Sequence, residues 1–174
     1  MSRRFHIEPL APSHRRDLFS CGSPPLDRYI REQATQDIRR KVSNCFVVIS
    51  DKLVVAYYTF ASTSILLADL PLEVTRRLPR YPLVPGALIG RLAVDQTVQG
   101  QGLGGALLLD AAQRADHADP AIHSLVVEAK DEGLTRFYQS VGFHSLSSAP
   151  QRLYLPVATA IAAIKASHPS RSDS

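Results

Sequence analysis

The sequence predicts an α/β fold in which a mixed sheet is flanked by helices, and three observations predict it. Two β-branched and aromatic runs, Asn44 to Ser50 and Leu53 to Thr63, are split by Asp51-Lys52, the spacing of a two-residue hairpin. A strand ending at Val94 passes through a glycine-rich turn into a helical run. Beyond it, apolar runs alternate with a further helix. Hairpins make antiparallel pairs and a helical crossover makes a parallel one, so the sheet must be mixed.

In chain order, Phe5 to Leu10 reads as a first strand. Ser23-Pro24-Pro25 reads as a helix start, with Ser23 as N-cap and Pro24 at the first helical position. Leu26, Ile30 and Ala34 then recur every four residues and mark one apolar helix face. Leu70 to Leu78, bounded by Pro71 and Pro79, reads as a short helix. Pro82 and Pro85 mark a turn before a strand from Ala87 to Val94. Leu103 to Ala115 is a helix whose apolar face is wide enough to cover a sheet. The strand Ile122 to Ala129, a helix around Phe137, and the runs Phe143 to Leu146 and Leu153 to Leu155 complete the alternation. Residues 1–165 read as one domain and 166–174, rich in serine, as a disordered tail.

At 174 residues and 45% apolar content, the chain has the size and composition of a single globular domain. It contains no apolar run near the roughly 20 residues that span a bilayer, and its first residues lack a signal-peptide pattern. Cys21 and Cys45 form no ligand spacing or disulfide framework, and a reducing cytoplasm fits them. The six histidines make no ligand pair, so no metal is expected. Charge is uneven: residues 1–91 hold 14 Lys/Arg against 8 Asp/Glu, and the rest hold 6 against 8. Arg39, Arg40 and Lys41 form one basic cluster; Arg76, Arg77 and Arg80 form another. Each reads as a contact for a polyanion, which would be salt-dependent, or as ordinary solvated surface.

The segment RLAVDQTVQGQGLGG, from Arg91 to Gly105, carries the most chemistry. Closely spaced glycines let backbone N–H groups approach an anion with no Cβ in the way. A helix start adds unpaired donors and a positive dipole end. The segment reads as a phosphate or pyrophosphate cradle. Gly100, Gly102 and Gly105 satisfy the glycine spacing of a dinucleotide fingerprint, but the loop lies past mid-chain and no acidic strand tip follows. A P-loop needs a Gly-Lys-Ser/Thr ending, and none is present. What remains is Q-x-x-G-x-G, here Gln99, Gly102 and Gly104.

That pattern after a strand resembles the pyrophosphate loop of the GNAT N-acetyltransferase superfamily. A second match follows in order: the strand Leu125-Val126-Val127-Glu128-Ala129, a helix bearing Phe137-Tyr138, and Gly142-Phe143. The resemblance implies a GNAT fold with two splayed central parallel strands, at Ala87 to Val94 and Leu125 to Ala129. It implies acetyl-CoA as co-substrate, held by Gln99, Gly100, Gln101, Gly102, Leu103, Gly104 and Gly105, with Phe137 beside it. Leu92, Ala93 and Val94 would offer unpaired backbone groups to the pantetheine amides.

The upstream half narrows the resemblance. Phe19-Ser20-Cys21-Gly22 precedes Leu26-Asp27 and Tyr29-Ile30; Tyr57-Tyr58-Thr59, Gly90-Arg91-Leu92-Ala93-Val94-Asp95 and Arg152-Leu153-Tyr154-Leu155-Pro156 follow. From about residue 5 to 157 the chain looks like the TacT-like tRNA-acetylating toxins of bacterial type II toxin–antitoxin systems. The resemblance implies transfer of acetyl to the α-amine of aminoacyl-tRNA, which blocks translation. It also implies a homodimer and a ribbon-helix-helix antitoxin.

The chemistry asks little of the side chains. An α-amine with a reference pKa near 8 is partly neutral at cellular pH, so a water chain can serve as base. Tyr138 stands where the family places its catalytic tyrosine, and its phenol can protonate the leaving thiolate. A backbone N–H near Val94 can hold the oxyanion. Glu128 reads as a base or as a structural partner. Arg91 reads as a substrate-phosphate contact or as a brace pairing at the sheet edge. Asp131 and Leu134 depart from the Asn and Ala common in the superfamily. The competing functions are acetylation of a small-molecule or protein amine, and non-catalytic acyl-CoA sensing.

Overall fold

The hairpin at Asp51-Lys52 closes as its length requires. Both residues take left-handed backbone, with φ of 50° and 65°, which matches the twist of the flanking strands. It joins β2 (Asn44–Ser50) to β3 (Leu53–Leu66) in antiparallel register, Ser50 opposite Leu53 and Cys45 opposite Thr59. The computed structural model describes residues 5–167. Two compact units emerge, one from the chain up to Ala61 together with Ile89–Asp110, the other from Ser62–Leu88 together with the chain from Ala111 onward.

In the first unit β1 (His6–Pro9) pairs antiparallel with β2, and the order is β1-β2-β3-β4, where β4 is Leu83–Val94. Three helical segments follow one another: α1 (Pro24–Arg28), a π-helical turn (Tyr29–Gln33) and α2 (Ala34–Arg39). Ser23 stands at the N-cap and Pro24 at N1, but the Ser23 side chain makes no capping bond. The apolar stripe is as spaced: Ile30 and Ala34 are fully buried with Tyr29, Tyr57, Cys45, Val47 and Ala93. A helix that fills such a core draws its stability from this packing more than from intrinsic propensity.

In the second unit the distal part of β3 and the proximal part of β4 continue into β5 (Ser124–Glu128), β7 (Arg152–Pro156) and β6 (His144–Ser145). β7 is antiparallel to both β5 and β6. The 14-residue helix α4 (Leu103–Asp116) links β4 to β5, the crossover of the parallel pair in this mixed sheet. Gly86 lies at a close approach: a Cβ there would come within 3.1 Å of the Thr63 methyl and 3.2 Å of a Val126 methyl, so a side chain would have to push these neighbours aside.

Several bounds differ from the sequence reading. β4 starts at Leu83, so Pro85 lies within the strand; it has no N–H to offer, and its carbonyl accepts the His123 N–H at 2.9 Å. The expected helix from Leu70 to Leu78 is a single turn, α3 (Leu72–Thr75). The sequence reading lacked a helix α6 (Val157–Ser167), which includes Ala166 and Ser167. The remainder of the expected tail, residues 168–174, lies outside the described residues. Among the described residues no helix is long and apolar enough to cross a membrane.

Candidate functional site

The glycine loop is built on a clamp at the end of β4. Asp95 accepts the Ser20 N–H at 2.9 Å, the Thr97 N–H at 2.9 Å and the Thr97 hydroxyl at 2.8 Å. Burial alone would raise its pKa; the bonds from Ser20 and Thr97 outweigh it and hold the carboxyl below its ordinary value. Gln96 N–H donates back to the Ser20 carbonyl at 2.9 Å. Gly22, at φ +94°, passes so close to Gln96 that a Cβ would stand 3.0 Å from its amide nitrogen. Asp27 accepts the Cys21 N–H at 2.8 Å. The Cys-Gly-x-x-x-Leu-Asp stretch is therefore the footing of the loop.

Gln99 completes that footing. Its side-chain amide donates to the Val94 carbonyl at 3.0 Å and to the Cys21 carbonyl at 3.1 Å. Its amide nitrogen is engaged within the fold, which leaves the side-chain oxygen and the backbone to face a ligand. Beyond it, Gly100 and Gly102 take left-handed backbone with φ of 78° and 80°. A Cβ at Gly100, Gly102 or Gly105 would meet no atom within 4 Å. Close packing is thus not what calls for glycine here. Left-handed φ accounts for the first two, and Gly105, inside α4, has no such reason. Open space beside these glycines at the start of a 14-residue helix is what a pyrophosphate-bearing co-substrate such as acetyl-CoA requires. Gln101 is exposed, Leu103 is buried, and Gly104 and Gly105 are half-buried in the first helical turn. On β4, Ala93 is buried while Leu92 and Val94 are half-buried.

In the second unit, Tyr138 lies on α5 (Glu132–Ser140). Asp131 is the N-cap of this helix and accepts the Leu134 N–H at 2.8 Å, which gives the departure from Asn a structural role. The helix ends in a Schellman cap. Gly142, at φ +107°, donates to the Gln139 carbonyl, and Phe143 N–H donates to the Tyr138 carbonyl at 3.0 Å. The apolar contact of that cap is Tyr138 against Phe143, with ring centroids 5.5 Å apart. The Phe137 ring centroid lies 5.4 Å from that of Tyr138. The F-Y-x-x-x-G-F pattern thus encodes a helix end that fixes one tyrosine ring. Among the described residues the Tyr138 hydroxyl has no hydrogen-bond partner. Burial raises its pKa, so the phenol stays protonated at neutral pH and can act as an acid.

The basic residues fall as follows. Arg39, Arg40 and Lys41 are exposed in the first unit, at the end of α2. Arg76, Arg77 and Arg80 are exposed in the second unit, after α3. Among the described residues Arg91 makes no ion pair, so it is not a charge brace at the sheet edge; its guanidinium lies over the ring of Tyr29, 3.7 Å from the centroid. Glu128 is exposed at the end of β5. Sequence reasoning missed Tyr29, Asp27, Ser20 and Asp95 as parts of the site. Asp27 carried a signal, an acidic residue just after Pro-Pro, but nothing local marks a carboxylate whose partner is 75 positions away. Among the described residues no group of three or more His, Cys, Asp or Glu could hold a metal ion.

Residues 84–155 match the family described as Acetyltransferase (GNAT) domain. The chain is 39% identical over 139 residues to the tRNA-acetylating toxin of Mycobacterium tuberculosis, covering 79% of this chain and 82% of that one. It is 34% identical over 165 residues to the probable toxin TacT of Sinorhizobium fredii, covering 88% and 91%. Among solved structures it is similar to AtaT complexed with acetyl-methionyl-tRNAfMet, with a TM-score of 0.85, 26% identity and 92% and 99% coverage. It is also similar to AtaTR bound with AcCoA, with a TM-score of 0.76, 28% identity and 92% and 98% coverage. The chain belongs to the GNAT N-acetyltransferases and, within them, to the TacT-like tRNA-acetylating toxins.

Proposed function

We propose that this chain transfers the acetyl group of acetyl-CoA to the α-amine of aminoacyl-tRNA and so removes that tRNA from translation. The observation that carries the reading is the 39% identity to a tRNA-acetylating toxin across four-fifths of the chain. Acetyl-CoA supplies an activated thioester, so the protein has only to orient, polarise and protonate. The N–H groups of Gly100 to Gly105, at the positive end of α4, hold the pyrophosphate. Leu92, Ala93 and Val94 offer main-chain groups to the pantetheine amides, and a backbone N–H near Val94 stabilises the oxyanion. The Val94 carbonyl already accepts from Gln99, so in this reading it is the Val94 N–H that serves. The α-amine is partly neutral at cellular pH and loses its proton to water. Tyr138 gives its phenolic proton to the departing thiolate.

Residues 1–165 act as one catalytic domain in this reading. Arg39, Arg40 and Lys41, with Arg76, Arg77 and Arg80, contact the phosphates of the acceptor RNA. The chain works in the cytoplasm as a homodimer and is neutralised by a ribbon-helix-helix antitoxin. The supporting facts are the tRNA complex of AtaT, the AcCoA-bound AtaTR complex, and the exposure of both arginine clusters. The test is transfer of labelled acetyl to total charged tRNA, with deacylated tRNA and a polyamine as controls. Label confined to charged tRNA, and falling steeply with salt, is expected. Label on the polyamine alone would move the acceptor to small amines.

A further inference from the structure

We propose that the Arg91 guanidinium, laid on the ring of Tyr29, is the stacking platform for the unpaired terminal base of the acceptor RNA. The inference deepens the tRNA reading and rests on it. Among the described residues no carboxylate lies within ion-pair distance of Arg91, so it is not a brace at the sheet edge. Its cationic plane is instead set 3.7 Å above an aromatic ring.

That ring is held from several sides. The Tyr29 hydroxyl donates to Asp37 at 2.7 Å. The ring lies nearly parallel to Tyr57, at 19° and 6.2 Å between centroids. Tyr57 is pinned in turn by its bond to the Leu26 carbonyl at 2.7 Å. Tyr29 also opens the π-helical turn, where the Ala34 N–H reaches back to the Tyr29 carbonyl. Single π turns concentrate at functional sites. Arg16 stabilises this one by donating to the Ile30 carbonyl at 3.1 Å and to Thr35 at 2.9 Å.

Tyr29 is only 4% exposed, so the guanidinium and the core enclose it. Arg91 remains partly exposed, and a base would lie on the face of the guanidinium turned away from Tyr29. Its own N–H is fixed to the Thr59 hydroxyl at 3.0 Å. It stands two residues, about 7 Å, before Ala93 on the strand that carries the acyl donor. That distance is comparable with the reach of the ribose ester joining a terminal base to its amino acid. Unpaired RNA ends are recognised by stacking on aromatic rings and on arginine planes. A rigid, uncompensated guanidinium plane beside the acyl strand has the chemistry for it.

The test is a cycle of four kcat/KM values for acetylation of charged tRNA. The terminal base is intact or replaced by an abasic residue, and the enzyme is wild type or Arg91→Lys, which keeps the charge and removes the plane. Each change alone should lower kcat/KM about tenfold, mainly through KM, and the two together should lower it no further. Multiplying losses, or full activity of Arg91→Lys on the intact tRNA, would overturn the platform. Arg91→Gln separates charge from stacking: if lysine restores what glutamine loses, the contact is to phosphate and the proposal fails. Tyr29→Phe keeps the ring and should keep most of the activity; a loss equal to that of Arg91→Lys would mean that the Asp37 bond, not the platform, matters. A wild-type enzyme inactive on charged tRNA would instead overturn the substrate reading itself.

Discussion

The Asp95 carboxylate and the Ser20 N–H, 75 positions apart, meet at 2.9 Å and fix the root of the glycine loop to the segment that leads into α1. The same carboxylate holds Thr97, so one side chain sets both the strand end and the turn after it. Asp95→Asn should cost about 2 kcal/mol, because an amide accepts at one atom only and hydrogen bonds to a charged group are the stronger kind. The folded carboxyl titrates below its unfolded value near 3.9. Its stabilisation is therefore complete above that value and disappears as pH falls through the folded pKa. Urea unfolding at pH 7 and at pH 3 should show the variant's deficit shrinking in acid. A deficit of equal size at both values would contradict the clamp.

Gly105 separates stability from binding. It sits inside α4 with open space where a Cβ would go. Gly105→Ala should stabilise the helix by up to about 1 kcal/mol. The same methyl group intrudes on the pyrophosphate cradle, and acetyl-CoA should bind at least tenfold more weakly. Thermal unfolding and titration calorimetry on one protein would read both. Unchanged affinity would place the pyrophosphate elsewhere.

Lys41 occupies a position made for glycine. It follows α2 at φ 59°, and Val42 N–H closes the helix end on the Asp37 carbonyl at 3.1 Å. A side chain in this conformation costs up to about 1 kcal/mol relative to glycine. Lys41→Gly should therefore raise stability while weakening charged-tRNA binding and flattening its dependence on salt. A more stable variant with the salt slope of the wild type would leave this basic cluster without a role in RNA contact.

Tyr138→Phe tests the acid. The ring keeps its packing against Phe143, so folding and acetyl-CoA affinity should stay within about twofold of wild type. The transfer rate should drop on the order of 10²-fold or more. A variant as fast as wild type would give the thiolate's proton another source.

Local chemistry was legible from the residues. The hairpin at Asp51-Lys52 and the helix face of Leu26, Ile30 and Ala34 follow from turn geometry and periodicity, and each stands where it was read. What escaped depends on distant partners. The end of β3 ran three residues past Thr63, because a strand stops where pairing and packing stop and not at a composition change. Pro85 looked like a turn residue but lies in β4, where a carbonyl alone suffices for its partner His123. The π turn under Arg91 left no trace in the spacing, since Leu26, Ile30 and Ala34 keep their face through it. The glycine loop was recognisable, yet the use of Gln99 as a brace on Val94 and Cys21 was not.

The reaction comes down to one bond, the amide formed on the α-amine of a tRNA-borne amino acid. Nuclease digestion of a reaction containing wild-type protein, acetyl-CoA and charged tRNA, followed by mass spectrometry of the terminal nucleoside, reads that bond directly. Aminoacyl-adenosine heavier by one acetyl group, with the mass on the amino acid, is expected, and on the order of a hundredth as much or less in the reaction with Tyr138→Phe over the same time. Unmodified aminoacyl-adenosine, with acetyl-CoA consumed on another amine, would contradict it.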